Sequence, residues 1–512
     1  MTTSTAPRTV AAPRRAPEAS FFPPRRPGVA FAGIALAFLS FALLQNLLIP
    51  VLPVMQTELR TDAAGITWAL TAWLITAAVA TPLLGKVGDL VGKRRTVLVS
   101  LVAIGLGSIV AALAQDLTVL VVGRVLQGLG GAVFPLGFGL VRDLFPRERV
   151  AGRIGALSAI MGIGAGVGTV LAGPLSELVG WRGLFLIPLA GVLVAGALLV
   201  RDRTLESRAT GRVNALSALL LSGWLVALLT PLSTGSQLGW GSPFVLGLLG
   251  LAAVLFVGWL AVELRSREPL IDLRVMSLPG VWNANLASLL IGAAMFGVFA
   301  YFARFVQTPT STGYGLGASV AESGLLMLPM LVTMSGVGFL VGAINRVVGL
   351  RVQLAVAAAL IAISTASLAL EHGAAWELAA AAGVFGIGLG LAIAATTSIV
   401  VQNVPASQTG VATGANANIR TIGSALGTAL MTAIVTGSAD AAGLPTEVAY
   451  QTGFLVLAGL ALLASVVALL PSRRRAGATS AGADAAEPTE RADETALEEA
   501  DELALASAVA EA

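Results

Sequence analysis

Polar side chains are scarce in this chain, so the few that interrupt its apolar runs mark where chemistry could occur. The densest group is GKVGDLVGKRR at 85–95, which sets Gly85, Asp89, Gly92, Lys93 and Arg94 between two long apolar segments. Glycines let helix ends approach closely, and Asp89 can accept hydrogen bonds from a neighbouring helix N-terminus or pair with an arginine. Such a stretch reads as a gate, or as a basic turn that only orients the chain. Arg124 stands about seven residues inside its apolar segment, roughly 10 Å at helical rise. An arginine at the centre of a span costs at least about 2.5–3.5 kcal/mol on insertion scales, so it should face a cavity or a partner. Gln127, three residues on, shares its helix face. Arg420 follows the same logic, with Asn416 at i,i+4, while bonding to carbonyls offers a purely structural role for either arginine. Arg304 lies near a segment end and can snorkel. A small-residue run at 162–174, GIGAGVGTVLAGP, places Gly164, Gly166, Gly168, Gly173 and Pro174 for close helix packing.

The elements that must position these residues are membrane spans. Of 512 residues, 56% are hydrophobic and 12% charged, with mean hydropathy +0.87, whereas soluble domains are about 25% charged. From Val29 onward, apolar segments of about 20 residues recur, each long enough to cross a hydrocarbon core of roughly 30 Å. We count fourteen, at 29–53, 66–85, 96–114, 117–141, 153–174, 183–200, 213–231, 243–263, 281–306, 320–345, 351–370, 375–401, 411–436 and 451–471. They are too long and continuously apolar for barrel strands, so the expected fold is all-α and polytopic. Residues 1–28 and 472–512 read as disordered tails, the first basic and the second turning acidic. A cleaved signal peptide is not expected, since the first apolar run begins late and is too long.

The 31 basic residues divide unevenly. Only Arg60 and Arg182 fall in alternate loops on one side and Arg124, Arg304 and Arg420 within spans; the remainder lie in the tails and the opposite loops. Both termini are therefore expected in the cytoplasm, with the chain in the inner membrane of a bacterial-type cell. The net charge of +3 and pI near 9.8 serve this orientation and not nucleic-acid binding. With no cysteine, thiol catalysis and thiolate metal sites are excluded, and the lone His372 reads as a solvated loop residue. No Walker-type phosphate loop, metal-ligand cluster or catalytic histidine is present, so no cofactor, no metal and no enzyme activity are expected.

An internal repeat organises the spans. Gly342, Arg346 and Gly349 repeat the spacing of Gly85, Asp89 and Gly92, with the acid replaced by a base. At an offset near 260, Gly155, Gly164 and Gly168 match Gly414, Gly423 and Gly427, and Pro146 matches Pro405. The expected organisation is a six-helix bundle at 29–200, two extra helices and linkers at 201–280, and a second six-helix bundle at 281–471. Transporters with duplicated halves carry their sites between the repeats.

In order and spacing, WALTAWLITAAVATPLLGKVGDLVGKRR, GRVLQGLGGA, WRGLFLIP, GWGSP, EPLIDLR and ANIRTIGSALG resemble the fourteen-span drug:proton antiporter branch of the major facilitator superfamily. The resemblance runs from 29 to 471. It implies that the 85–95 motif locks the cytoplasmic side in the outward-open state, and it links Arg124 and Gln127 to proton transfer. The chain departs from the pattern at Leu90, where arginine is usual, and at Thr169, where the antiport motif has proline after Gly168. Leu44 stands where the branch often has a first-span aspartate, followed by Gln45 and Asn46. Neutral amides bind substrate but do not titrate. Of the acids near spans, Glu58, Asp116, Glu263 and Glu322, the last is the candidate proton carrier. The expected function is proton-driven export of amphipathic drugs or hydrophobic metabolites by rocker-switch alternating access. The monomer would line its pathway with Gln45, Asn46, Arg124, Gln127, Asn285, Asn416 and Arg420. Alternatives are a uniporter or importer of a small polar solute, or a non-transporting membrane sensor.

Overall fold

The computed structural model describes residues 27–48, 51–61, 63–201, 212–266, 268–371, 373–436 and 445–470. The tails, save residues 27 and 28, and His372 lie outside these residues. Every long apolar segment is helical, because a backbone without water must bond within its own segment. In chain order the helices are α1 (Pro27–Asn46), α2 (Leu52–Glu58), α3 (Ala63–Val91), α4 (Lys93–Ala112), α5 (Leu117–Gly128), α6 (Val133–Leu144), α7 (Arg147–Gly183) and α8 (Leu186–Val200). They continue as α9 (Ala215–Leu238), α10 (Pro243–Arg265), α11 (Leu273–Met276), α12 (Pro279–Gln307), α13 (Val320–Ile344), α14 (Leu350–Leu370), α15 (Ala375–Asn403), α16 (Thr409–Thr436) and α17 (Glu447–Leu469).

Among the described residues, twelve helices are long and apolar enough to cross a membrane, or thirteen if the pair 171–183 and 186–200, bent by 77°, is one span. The expected fourteen is therefore a higher number than these helices supply. The segment expected at 411–436 is helical, but α16 carries Asn416, Asn418 and Arg420 in its interior. With those side chains it is not among the helices apolar enough to cross a membrane by composition, as suits a helix packed between others.

Helix pairing follows the repeat. In the first half α1 packs on α7 and α8, α4 on α5 and α8, and α3 on α5. In the second, α12 packs on α16 and α17, α14 on α15 and α17, and α13 on α15. Two exchanged pairs, α3 with α16 and α13 with α7, join the halves. Buried apolar side chains form one cluster running from Ala30 to Leu199 and another from Val281 to Ala468. A third, around Leu221, Trp224, Trp259, Leu270 and Ile271, attaches α9 and α10 to Val411 and Ala415 of α16.

Glycines decide how close these helices come. A methyl group on Gly164 or Gly168 would press on Leu39 to Asn46 of α1, and one on Gly423 or Gly427 would lie 2.0 Å from the Leu289 or Ala293 carbonyl oxygen of α12. The matched glycines thus serve matched interfaces. Gly155 does the same against Gly338 of α13, and Gly414 against Thr81 of α3. Gly162 and Gly166 turn the opposite face of α7 to Met334 and Leu331, whereas Gly173 meets nothing within 4 Å. Replacing Gly423 by alanine should force the α12 and α16 backbones apart, at an overpacking cost of about 1–3 kcal/mol. Melting of the detergent-purified protein should fall by several degrees for Gly423→Ala and hold or rise for Gly173→Ala, where only helix propensity changes; equal melting of the two variants would contradict this packing.

Candidate functional site

At the end of the bundle that carries the basic loops, α3 runs to Val91 and the chain reverses at Gly92. Its φ of 123° is open to glycine and strained for other residues. The turn leaves Asp89 on the last turn of α3, 2% exposed and facing the start of α16. Its two carboxylate oxygens accept the Gly410 and Val411 amides at 3.2 and 3.1 Å. Those amides belong to the first turn of α16, where four N–H groups lack intrahelical partners and the helix dipole favours an anion. Gly85, one turn earlier, has no side chain because its Cβ would lie 2.8 Å from the Gly410 oxygen.

Two further cations close on the same segment. Lys93 Nζ binds Asp143 Oδ2 at 2.8 Å and donates to the Ala406 carbonyl at 3.2 Å. Arg142 donates to the Val404 carbonyl at 2.6 Å and to Thr409 Oγ1 at 2.9 Å. Residues 404–411 are thus held by one carboxylate and two cations from the first half. Arg94, expected in this gate, donates to the Leu199 and Val200 carbonyls and fastens α4 to the end of α8 within the first half. Helix C-termini leave carbonyls free, and a cation there is favoured.

Deeper in the first half, Arg124 is 0% exposed. Its Nε donates to the Ala69 carbonyl at 2.9 Å, its Nη1 to Gln127 Oε1 at 2.7 Å, and its guanidinium lies 5.4 Å from the Trp73 ring centroid. Gln127 in turn donates to Ser108 Oγ at 3.1 Å, so the pair expected on one helix face forms a network spanning α3, α4 and α5. Arg124 Nη2 and Trp73 Nε1 are buried without an acceptor among the described residues. In the second half Asn416 donates to Asn285 Oδ1 and Ser288 Oγ, both at 2.9 Å. Arg420, one turn further along, is partly exposed, and its stem lies against Gly292 of α12.

Not all expected residues converge. Asn46 donates to the Ala42 carbonyl of its own helix, and Gln45 is partly exposed beside it. Glu322 is a correction: it is exposed at the start of α13 and closes a capping box with Ser319, a local role that its S-x-x-E spacing already encodes. Sequence reasoning missed Asn418, which donates to the Ala78 carbonyl at 2.6 Å, and Thr413, which donates to the Pro135 carbonyl at 3.2 Å, both across the halves. Glu263, weighed among the acids near spans and passed over, is 3% exposed and accepts Ser217 Oγ of α9 and the Ile271 amide. Ile271 belongs to the strap after α10, whose Pro269 carbonyl accepts Lys86 Nζ at 3.0 Å. A buried carboxylate near a helix end is invisible without its partners. No group of acids and histidines among the described residues could hold a metal ion.

Residues 34–428 match the family model described as Major Facilitator Superfamily. The chain is 29% identical to the Tetracenomycin C resistance and export protein of Streptomyces glaucescens over 79% of its own length and 75% of that protein's. It is 27% identical to the Multidrug transporter protein MdtP of Bacillus subtilis over 72% and 68% of the two chains. The crystal structure of the human organic anion transporter MFSD10 matches its fold with a TM-score of 0.61 at 17% identity, covering 87% of this chain and 99% of that one. A duplicated helical bundle, paired through exchanged helices and matched by the family model over most of its length, makes this chain a membrane transporter of the major facilitator superfamily.

Proposed function

We propose that the protein exports amphipathic drugs or hydrophobic metabolites, driven by the proton gradient, and that the Asp89 contact is its cytoplasmic gate. The observation that carries this reading is the buried Asp89 carboxylate seated on the α16 N-terminus across the halves. With the basic loops inside under the positive-inside rule, that contact closes the cytoplasmic end. Breaking it frees α3 and α16 to part, which is the step alternating access requires. Hydrogen bonds to a charged group contribute about 1.5–3 kcal/mol, enough to shift a two-state equilibrium roughly ten- to hundredfold. The export in the name of the Streptomyces relative supports the direction of transport.

Among the described residues the buried carboxylates are Asp89 and Glu263, both within a turn of a helix end. We assign proton coupling to the gate itself, where neutralising Asp89 weakens its hold on the α16 amides. Leu44 in place of a first-span acid favours a second reading, uniport of a polar solute. In everted vesicles, Asp89→Asn should insert normally yet move a fluorescent amphiphile at least about tenfold more slowly; wild-type efflux by the inserted variant would refute the gate. An uncoupler should abolish uphill movement by the wild type, whereas uptake insensitive to it would establish uniport.

A further inference from the structure

The segment EPLIDLR at 268–274 follows α10, and the Asp89 gate makes no use of it. Residues 268–272 form a strap between the end of α10 and the start of α11. Both ends are fixed locally. The Ser266 amide bonds to the Val262 carbonyl after α10, and the Asp272 carboxylate accepts the Arg274 amide to open α11. Between them the strap turns its apolar side chains inward, with Leu270 0% and Ile271 6% exposed. They share one apolar cluster with Val411 and Ala415 of α16 and with Leu83 of α3.

Two polar contacts decide where the strap lies. Glu263, in the last turn of α10, accepts the Ile271 amide and Ser217 Oγ of α9. A carboxylate so deeply buried is stable only with donors around it, and one of its donors is the strap itself. Lys86 of α3 donates to the Pro269 carbonyl at 3.0 Å. This lysine follows Gly85, whose missing side chain lets α3 touch Gly410, and precedes Asp89 by three residues. Val411 is therefore held twice, its amide by Asp89 and its side chain in the cluster with Leu270 and Ile271.

The strap thus reaches both sides of the join that must open, since α3 belongs to the first half and α16 to the second. Helix α9 does the same, packing on α3 and on α16. When those helices part, the strap cannot keep both its hold on Lys86 and its seat beside Val411. We propose that residues 268–272 are a latch over the Asp89 gate, with Glu263 as its positioning residue, so that the extra pair α9 and α10 sets how readily the gate opens. This rests on the gate reading of Asp89 above and adds a second restraint to it. Such coupling is reciprocal: releasing the gate loosens the strap, and freeing the strap loosens the gate by the same factor.

The purified full-length chain, which has no native cysteine, allows both directions to be read. Leu270→Cys reports the strap through its rate of modification by N-ethylmaleimide. Spin labels on Val91→Cys and Val347→Cys report the separation of the halves. Asp89→Asn should speed the modification at least about fivefold. Glu263→Gln and Lys86→Met should each raise the ratio of separated to closed halves by a similar factor, whereas Lys86→Arg, which still donates to the Pro269 carbonyl, should keep most of the wild-type closure. Lys86 is partly exposed, so its two variants decide the matter even where Glu263→Gln fails to fold. The latch is overturned by a strap cysteine whose rate ignores an Asp89→Asn opening, by halves undisturbed in Lys86→Met or in folded Glu263→Gln, or by Lys86→Arg as open as Lys86→Met; the gate then stands or falls on Asp89→Asn alone. Halves that separate in the strap variants but not in Asp89→Asn would uphold the strap as the closing element and refute the Asp89 gate instead.

Discussion

A carboxylate withdrawn from water is stable only where donors surround it, and at Asp89 those donors belong to the other half of the molecule. The Gly410 and Val411 amides are free because they open α16, and they reach Asp89 because Gly85 and Gly410 let the two backbones touch. Other groups of the basic end close around that contact. The positive φ of Gly92 sends α4 back, which places Lys93 on Asp143 and Ala406. Arg142 then covers the Val404 carbonyl and the Thr409 hydroxyl at the join of α15 and α16.

The repeat builds two interfaces of this kind, yet only one carries the charge. In the turn just after α13 the residue matching Asp89 is Arg346, whose side chain pairs with no described acid. Gly342 instead meets Gly152 of α7 backbone to backbone, with Gly338 against Ala159 behind it. One interface is held by packing alone and the other by packing plus a buried anion. Under the proposed gating, the interface held by the buried anion is the releasable side. The extra pair α9 and α10 sits on the releasable side, where Leu270 and Ile271 cover Val411 and Ala415. Glu263 ties that cover to α9, and Lys86 ties it to the α3 end.

The helices were legible because a membrane removes alternatives: an apolar run of 20 residues must satisfy its own amides. The repeat was legible for a related reason, since glycines such as Gly164 and Gly423 are imposed by backbone contact. The Arg124 and Gln127 pair followed from helical periodicity alone. Pairings over long separations did not. Asp89 and Gly410 are 321 residues apart, and nothing local to either names the other. Glu322, the candidate proton carrier, is an exposed acid whose own sequence context encodes a cap. The segment expected at 411–436 is helical but not among the helices apolar enough to be counted as spans, because a helix enclosed by others need not be apolar.

The gate claim is accessible to a distance measurement, since the natural chain has no cysteine to interfere with labelling. Val91, 49% exposed at the end of α3, and Val347, 88% exposed after α13, belong to opposite halves at the basic end. Spin labels on cysteines at these two positions report the separation of the halves by pulsed electron resonance. With Asp89 intact the distribution should be narrow and short; with Asp89→Asn it should gain a longer component that dominates. An unchanged distribution in the inserted, folded variant would contradict the claim that this carboxylate holds the basic end closed.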